Sequence, residues 1–345
     1  MSKKGTIGVG VIGLGFMGRT HLAAYNAARR DGHDCRLAAV CDSRPERLAG
    51  GADAAGNFET TAASDRLFDA SEVNTYTDPA KLLADKTVDL VSLCTHTDTH
   101  VDLAIAALRA GKHVLVEKPV ALRAADVRRL VDAAAGASTL CMPAMCMRFW
   151  PEWVWLKQRI DDQAYGAVRS AVFQRLGGAA PWAQEFYCDV ARSGGALVDL
   201  HIHDADFVRW CFGDPDAVIS GGSIYHVTTI YRYERGPKHV TAEGGWSHAA
   251  GFPFRMRYLV SFDRATADFD LGRTPPLLLA HDGKMEPVPM EATSAYDGEI
   301  RHMLDAIARG DRRLIAPIEE AEAVTRMLEA ERKSLETGGP VRVVS

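Results

Sequence analysis

The sequence has little that would place it in a membrane, outside the cell or on nucleic acid. No apolar run approaches the ~20 residues that a spanning helix needs. The opening "MSKKGTIGVGVIGLG" has too short an apolar segment, and no small-residue cleavage site, for a signal peptide. The seven cysteines, at 35, 41, 94, 141, 146, 188 and 211, are odd in number and never spaced C-x-x-C, which argues against a disulfide framework and a structural zinc site. Charge is not concentrated: 40 basic and 45 acidic residues are mixed along the chain, leaving no basic stripe for nucleic acid and no acidic tail. A cytoplasmic protein with no nucleic-acid and no membrane partner is expected.

What is present is alternation. At 345 residues, 47% of them hydrophobic, the chain can bury cores for about two domains. From residue 6 to about 145, short β-rich runs ("TIGVGVIGL", "CRLAAVCD", "VDLVSLCT", "KHVLVEK", "STLCMPAM") alternate with helical patterns such as "MGRTHLAAYNAARR", "RPERLAGGADAAG", "THVDLAIAALRAG" and "RAADVRRLVDAAAG". Each parallel strand needs a crossover helix to return, so this pattern predicts a doubly wound parallel sheet of Rossmann type over residues 1–147. After "RFWPEWVWLKQRIDD" the runs lengthen and read as strands: "GAVRSAVFQRLGG", "AVISGGSIYHVTTIYRYE", "KHVTAEGGWS", "FRMRYLVSFD" and "ATADFDLG". Residues 148–345 are therefore expected to form an α+β domain on a large, open, mostly antiparallel sheet. Two closing helices, at about 294–309 and 319–337, can pack back on the first domain.

Directly between a β-rich run and a helical pattern stands Gly13-x-Gly15-x-x-Gly18, followed from Gly15 by Phe16 and Met17. Gly13 allows a tight turn, Gly15 lets backbone approach a pyrophosphate, and Gly18 lets helix pack on strand, with the helix N-terminus favouring the anion. The second strand ends in Asp42, placed to meet ribose hydroxyls and so to favour NAD over NADP, or else to cap a turn. Arg44 is close enough to serve an extra phosphate. At later strand ends, where ligands of such sheets bind, stand Thr95, His96 and His100, and then Glu117-Lys118-Pro119. A Glu-Lys pair ending a buried strand is costly to desolvate unless used or paired.

"VDLHIHDADFVRW", residues 198–210, packs two histidines and three aspartates into an apolar run. Were 196–211 one helix at about 100° per residue, Asp199, His203 and Asp206 would share an arc of roughly 60°, and His201 would point away. Were it a strand, His201 and His203 would share a face and invite a metal. A hydrogen-bonded structural network, a metal site and an acid/base device are the three readings; the helix separates the histidines and disfavours the metal, so no metal is expected. Acid/base chemistry suits His203 as proton acceptor and Asp199 as its orienter, with Lys118 on a developing alkoxide and Asp206 on another hydroxyl.

Taken together, the glycine turn, "AALRAGKHVLVEKPVA" and "GGALVDLHIHDADFVRWCFG" resemble the Gfo/Idh/MocA family of glucose-fructose oxidoreductase and inositol dehydrogenase, over almost the whole chain. The resemblance implies a nicotinamide-binding Rossmann domain and a second domain that covers substrate and forms subunit contacts. It implies catalytic roles for Lys118, Asp199 and His203, and often a cis bond before the proline, here Pro119. Where relatives often carry Gly-Tyr-Asn before Arg-Phe, this chain has Ala144, Met145 and Cys146, which leaves Arg148 open as a substrate contact or a structural ion. Tyr296 matches a position that often approaches substrate, and Trp246 suits a sugar-stacking wall or a core. The expectation is an NAD(P)-dependent dehydrogenase or reductase, NAD favoured, of a sugar, sugar derivative or cyclitol, assembled as a homodimer or homotetramer. A non-sugar carbonyl or dihydrodiol substrate, a non-catalytic cofactor sensor, and a hydrolase with a metal on His201 and His203 are the rival readings.

Overall fold

The computed structural model describes residues 5–50, 67–178, 184–291 and 293–343. It divides into two compact units, one of residues 1–121, 125–146 and 294–322, the other of 122–124, 147–293 and 323–345. The division is thus not a single cut at residue 147, because residues 294–322 pack with the first unit.

In the first unit, β1 (Ile7–Ile12), β2 (Cys35–Cys41), β3 (Asn74–Tyr76), β4 (Leu90–Leu93), β5 (His113–Val116) and β6 (Cys141–Pro143) form one sheet in the order β3-β2-β1-β4-β5-β6. Every pairing is parallel. Strands β1 and β4 are buried at every residue, as parallel strands covered on both faces must be. Helices α1 (Phe16–Arg30), α2 (Pro79–Ala84), α3 (His100–Arg109) and α4 (Ala124–Ala135) lie between the strands in sequence. Between β2 and β3 the expected helix is a 3-10 turn, Pro45–Ala49; residues 51–66, with the rest of that pattern, lie outside the described residues. The strand order reverses between β1 and β4, and such a switch point is where doubly wound sheets bind nucleotides.

The second unit opens with α5 (Pro151–Asp161), which proline starts, and β7 (Val168–Gly178). Short helices α6 (Gln184–Tyr187), α7 (Val190–Ser193) and α8 (Gly195–Asp199) precede α9 (Ile202–Phe212). Strands β8 (Ala217–Ser223), β9 (His226–Arg232), β10 (His239–His248), β11 (Arg255–Phe262), β12 (Ala265–Asp270), β13 (Leu277–His281), β14 (Lys284–Pro287) and β15 (Val341–Arg342) complete a nine-stranded sheet, ordered β14-β13-β12-β11-β7-β10-β9-β8-β15. Its pairings are antiparallel except β7 with β10. Burial alternates strictly along β9 and β12, the pattern of a sheet with one covered face. On that face Trp153 is fully buried, edge-on to Phe207 with ring centroids 4.6 Å apart and to Tyr258 at 5.4 Å. The closing helices are α10 (Ala295–Arg309), which packs on α1 within the first unit, and α11 (Ile318–Thr337). Among the described residues no helix is long and apolar enough to cross a membrane.

One expected element divides. The helix over 196–211 is interrupted at Leu200 and His201. The amides of Leu200 and His201 both donate to Ala196 O, at 3.1 and 2.8 Å, and the amide of His203 turns to Leu200 O at 3.4 Å. A bond from i to i−5 followed by one to i−3 inserts a wide turn and then a tight one, so helical phase does not carry through.

Candidate active site: a nucleotide crevice and an Asp/His break

The two units contribute separate groups of functional side chains. In the first, Gly13 sits at φ +90°, and a Cβ there would lie 2.5 Å from Cys94 O. At Gly18 a Cβ would meet Gly13 O at 1.8 Å, so α1 can approach β1 this closely only without a side chain. Gly15 differs: the nearest atom to its missing Cβ is the Arg47 Nη1, 3.9 Å away. The turn therefore needs Gly13 and Gly18 for its own packing and leaves open space at Gly15, where Phe16 and Met17 begin a helix whose first amides have no intrahelical acceptor. This cradle fits the pyrophosphate of a dinucleotide.

Asp42 directly follows β2, with 5% exposure. Its Oδ2 accepts from the Leu14 amide at 2.7 Å and pairs with Arg47 at 3.3 Å, and its Oδ1 accepts from the Arg44 amide at 2.9 Å. It ties the glycine turn to the segment that follows β2, and the Arg44 side chain is exposed. Arg47, which the sequence reading passed over, stands beside both Asp42 and Gly15.

At the later strand ends the residues separate. Thr95 is half-buried, its hydroxyl 2.7 Å from that of Thr99, and His96 is exposed. His100 does not face the crevice: it is 1% exposed, with Nδ1 2.9 Å from Pro119 O and Nε2 3.0 Å from Thr95 O. Burial pulls its pKa below the ordinary imidazole value against the pull of the two carbonyls, and the neutral ring, with one N–H, donates to one of them at a time. Glu117 is likewise turned inward. Its Oε1 lies 2.9 Å from His21 Nε2 and its Oε2 accepts from the Lys118 amide at 3.1 Å. His21 Nδ1 continues to the Ser92 hydroxyl at 3.2 Å, and Tyr25 reaches the same hydroxyl at 2.8 Å. This buried chain fixes the start of the Lys118-Pro119 segment, whose peptide bond is cis, while Lys118 keeps partial solvent access. His21 and Tyr25, one helical turn apart on α1, were discoverable as a polar i, i+4 pair on a buried helix face.

Glu299, in "AYDGEI", was also missed. It is fully buried on α10, and neither carboxylate oxygen has a hydrogen-bond partner. Burial first, and then repulsion from Glu117, pushes its pKa well above the ordinary carboxyl value. Tyr296 on the same helix is half-buried.

In the second unit, the break between α8 and α9 sorts the charged residues of 198–210. Asp204 is fully buried and takes Arg175 Nε and Nη2 at 3.0 and 3.2 Å. Asp206, expected to hold a substrate hydroxyl, and Arg148, an open substrate candidate, instead satisfy each other: Arg148 Nε and Nη2 donate to the two Asp206 oxygens at 3.0 and 2.7 Å, with both side chains 1% exposed. His201 is fully buried against Glu331 at 2.9 Å. From Val198 to Val208 only Asp199 and His203 retain solvent access. Trp246 is a core residue, 8% exposed and packed with Ala196 and Leu200 beside Tyr187 and Phe254. Among the described residues no group of three or more His, Cys, Asp or Glu side chains can hold a metal ion.

Comparison with known proteins agrees with this division. Residues 7–145 match the model of the oxidoreductase family with an NAD-binding Rossmann fold, and residues 153–257 match the GFO/IDH/MocA C-terminal domain. The chain belongs to the GFO/IDH/MocA family. Over 325 residues it is 27% identical to the inositol 2-dehydrogenase of Rhizobium meliloti, covering 88% of this chain and 90% of that protein. Over 217 residues it is 32% identical to the myo-inositol 2-dehydrogenase of Thermotoga maritima, covering 63% of this chain and 58% of the relative, so that match spans under two thirds of the relative's length. The fold of a levoglucosan dehydrogenase, solved with NADH and levoglucosan, superposes with a TM-score of 0.83 at 22% identity over 98% of this chain and all of that one. For this GFO/IDH/MocA member residues 7–145 are the NAD-binding Rossmann fold, and the glycine cradle lies within them.

Two outcomes follow from its geometry. Gly15→Ala folds normally yet weakens NADH at least about tenfold in a fluorescence titration, equivalent to about 1.4 kcal/mol, whereas Gly18→Ala fails to give stable protein. A carboxyl whose folded pKa is raised keeps its proton in the folded chain after the unfolded chain has released it, so its contribution to stability declines as pH rises through that window. Glu299→Gln is therefore more stable than the parent near about pH 8 in urea denaturation, with the advantage shrinking toward about pH 5.

Proposed function

We propose that this chain is an NAD-preferring dehydrogenase acting on a secondary alcohol of a cyclitol or sugar, with inositols and levoglucosan the first substrates to try. The observation that carries the reading is the selective exposure of Asp199 and His203 within a segment whose other charged groups from 198 to 208 are paired and buried. The relatives named inositol and levoglucosan dehydrogenase support the substrate class.

When bound, NAD supplies the acceptor for hydride from the carbinol carbon. The protein's own task is the hydroxyl proton. His203 takes it as general base, a role suited to an imidazole at neutral pH. Asp199, four residues before, orients the ring and stabilises the imidazolium. Lys118, its backbone held by Glu117, donates a hydrogen bond to the oxygen as charge develops there. Asp42 favours NAD because a second phosphate beside its carboxylate would be repelled, although Arg44 and Arg47 stand close by.

Self-association is part of the same proposal. Leu259, Val172 and Ile230 are 47%, 36% and 42% exposed. They lie in one register row with Thr241 across β11, β7, β10 and β9, an apolar ridge on the open face of the sheet. We infer that a second copy covers it; light scattering of the parent gives at least a dimer, and Leu259→Lys with Ile230→Lys gives monomer. Cysteines that form no disulfide among the described residues suit a reducing compartment.

Lys118→Ala and His203→Ala each lower turnover by about 100-fold or more while NADH still binds. The assay follows reduced-cofactor absorbance with NAD and NADP over myo-inositol, scyllo-inositol, levoglucosan and common aldoses. Unchanged turnover in both variants refutes the mechanism.

A further inference from the structure

Between Asp199 and His203 the chain is held by a side chain that the proposed reaction does not use. His201 closes the wide turn of the break, its amide on Ala196 O and its carbonyl accepting from the amides of Asp204 and Ala205 at 3.1 and 3.0 Å. Its ring is wholly buried. Nε2 lies 2.9 Å from Glu331 Oε2 on α11 and 3.2 Å from the Tyr231 hydroxyl on β9. Thr229 donates to Glu331 Oε2 at 3.0 Å. Ser220 on β8 joins Thr229 at 2.8 Å. On the remaining side stands Gly244 of β10, where a Cβ would lie 2.7 Å from His201 Cβ and 2.9 Å from its Nδ1. Nδ1 has no hydrogen-bond partner, so the ring is oriented through Nε2 alone.

We propose that His201, clamped between Glu331 and Gly244, is the positioning residue that sets the directions of Asp199 and His203. A pair of apolar side chains would fill this place with less desolvation, but only directional hydrogen bonds fix a backbone irregularity in one orientation. The clamp acts where direction matters: two residues after Asp199 and two before His203, on the one backbone segment that links them. The functional weight of this proposal rests on the acid/base reading of that pair; the positioning itself does not.

The test uses the full chain with 15N-labelled histidine, the His203 ring signals assigned by His203→Asn. Gly244→Ala, which pushes His201 aside without changing charge, and Glu331→Leu, which removes the acceptor, both shift the His203 ring resonances. Both also lower kcat with myo-inositol or levoglucosan about tenfold while KM for NAD holds, as a small misplacement of a reacting group does. Glu331→Gln keeps an acceptor and stays within about twofold of the parent. Tyr258→Phe, which removes a part-buried hydrogen bond to Glu152 O elsewhere in the unit, leaves the signals unmoved. Should Gly244→Ala and Glu331→Leu fail to fold, the milder Tyr231→Phe must produce the shift. Unmoved His203 signals in the folded variants overturn the proposal. If His203→Ala itself retains full turnover, the catalytic reading falls while the resonances still decide the positioning.

Discussion

A buried charge in this chain needs a close partner, a counter-charge in the ion pairs named below and two backbone carbonyls for Lys112, and that constraint sorts its ionisable groups. Removing a carboxylate or a cation from water costs several kcal/mol after relaxation, and only close, hydrogen-bonded pairing offsets it. The pairs His21–Glu117, Arg148–Asp206, Arg175–Asp204 and His201–Glu331 meet the condition. Glu299 meets it in the other way, by keeping its proton. Within 198–208 that leaves Asp199 and His203 as the ionisable residues in contact with water.

In the nucleotide-binding unit the corresponding constraint is steric, and it couples specificity to folding. Asp42, proposed above to favour NAD, stands directly after β2, and the same carboxylate accepts from the Leu14 amide inside the glycine turn. A substitution of Asp42 therefore also loosens the glycine turn that its carboxylate ties down. Arg47 stands beside both Asp42 and Gly15 and so joins the same cluster.

Much of this was legible in the sequence, for physical reasons that also mark the gaps. Fully covered parallel strands must be near-continuous apolar runs separated by crossover helices, so the first sheet showed itself through alternation. The second showed through two-residue periodicity. The β13–β14 hairpin was missed because its strands are mostly half-buried or exposed and its neighbours are proline-rich, although Asp282-Gly283, both at positive φ, is a strong turn signal. The pairing of Asp206 with Arg148 was not foreseen because the two are 58 residues apart, and no local pattern encodes which charge will face which. Glu331, 130 positions from His201, was out of reach for the same reason.

The break between α8 and α9 shows how one extra residue in a turn can separate two requirements. In an uninterrupted helix Asp199, His203 and Asp206 would share a face, and burying Asp206 against Arg148 would draw Asp199 inward as well. The bond from His201 to Ala196, one residue longer than helical, removes that coupling. Asp206 can then lock α9 into its unit while Asp199 and His203 keep access to solvent. The motif is better understood as a short helix end and a helix start joined at His201 than as one amphipathic helix. Its D-x-x-x-H spacing persists because the irregularity falls between the two residues.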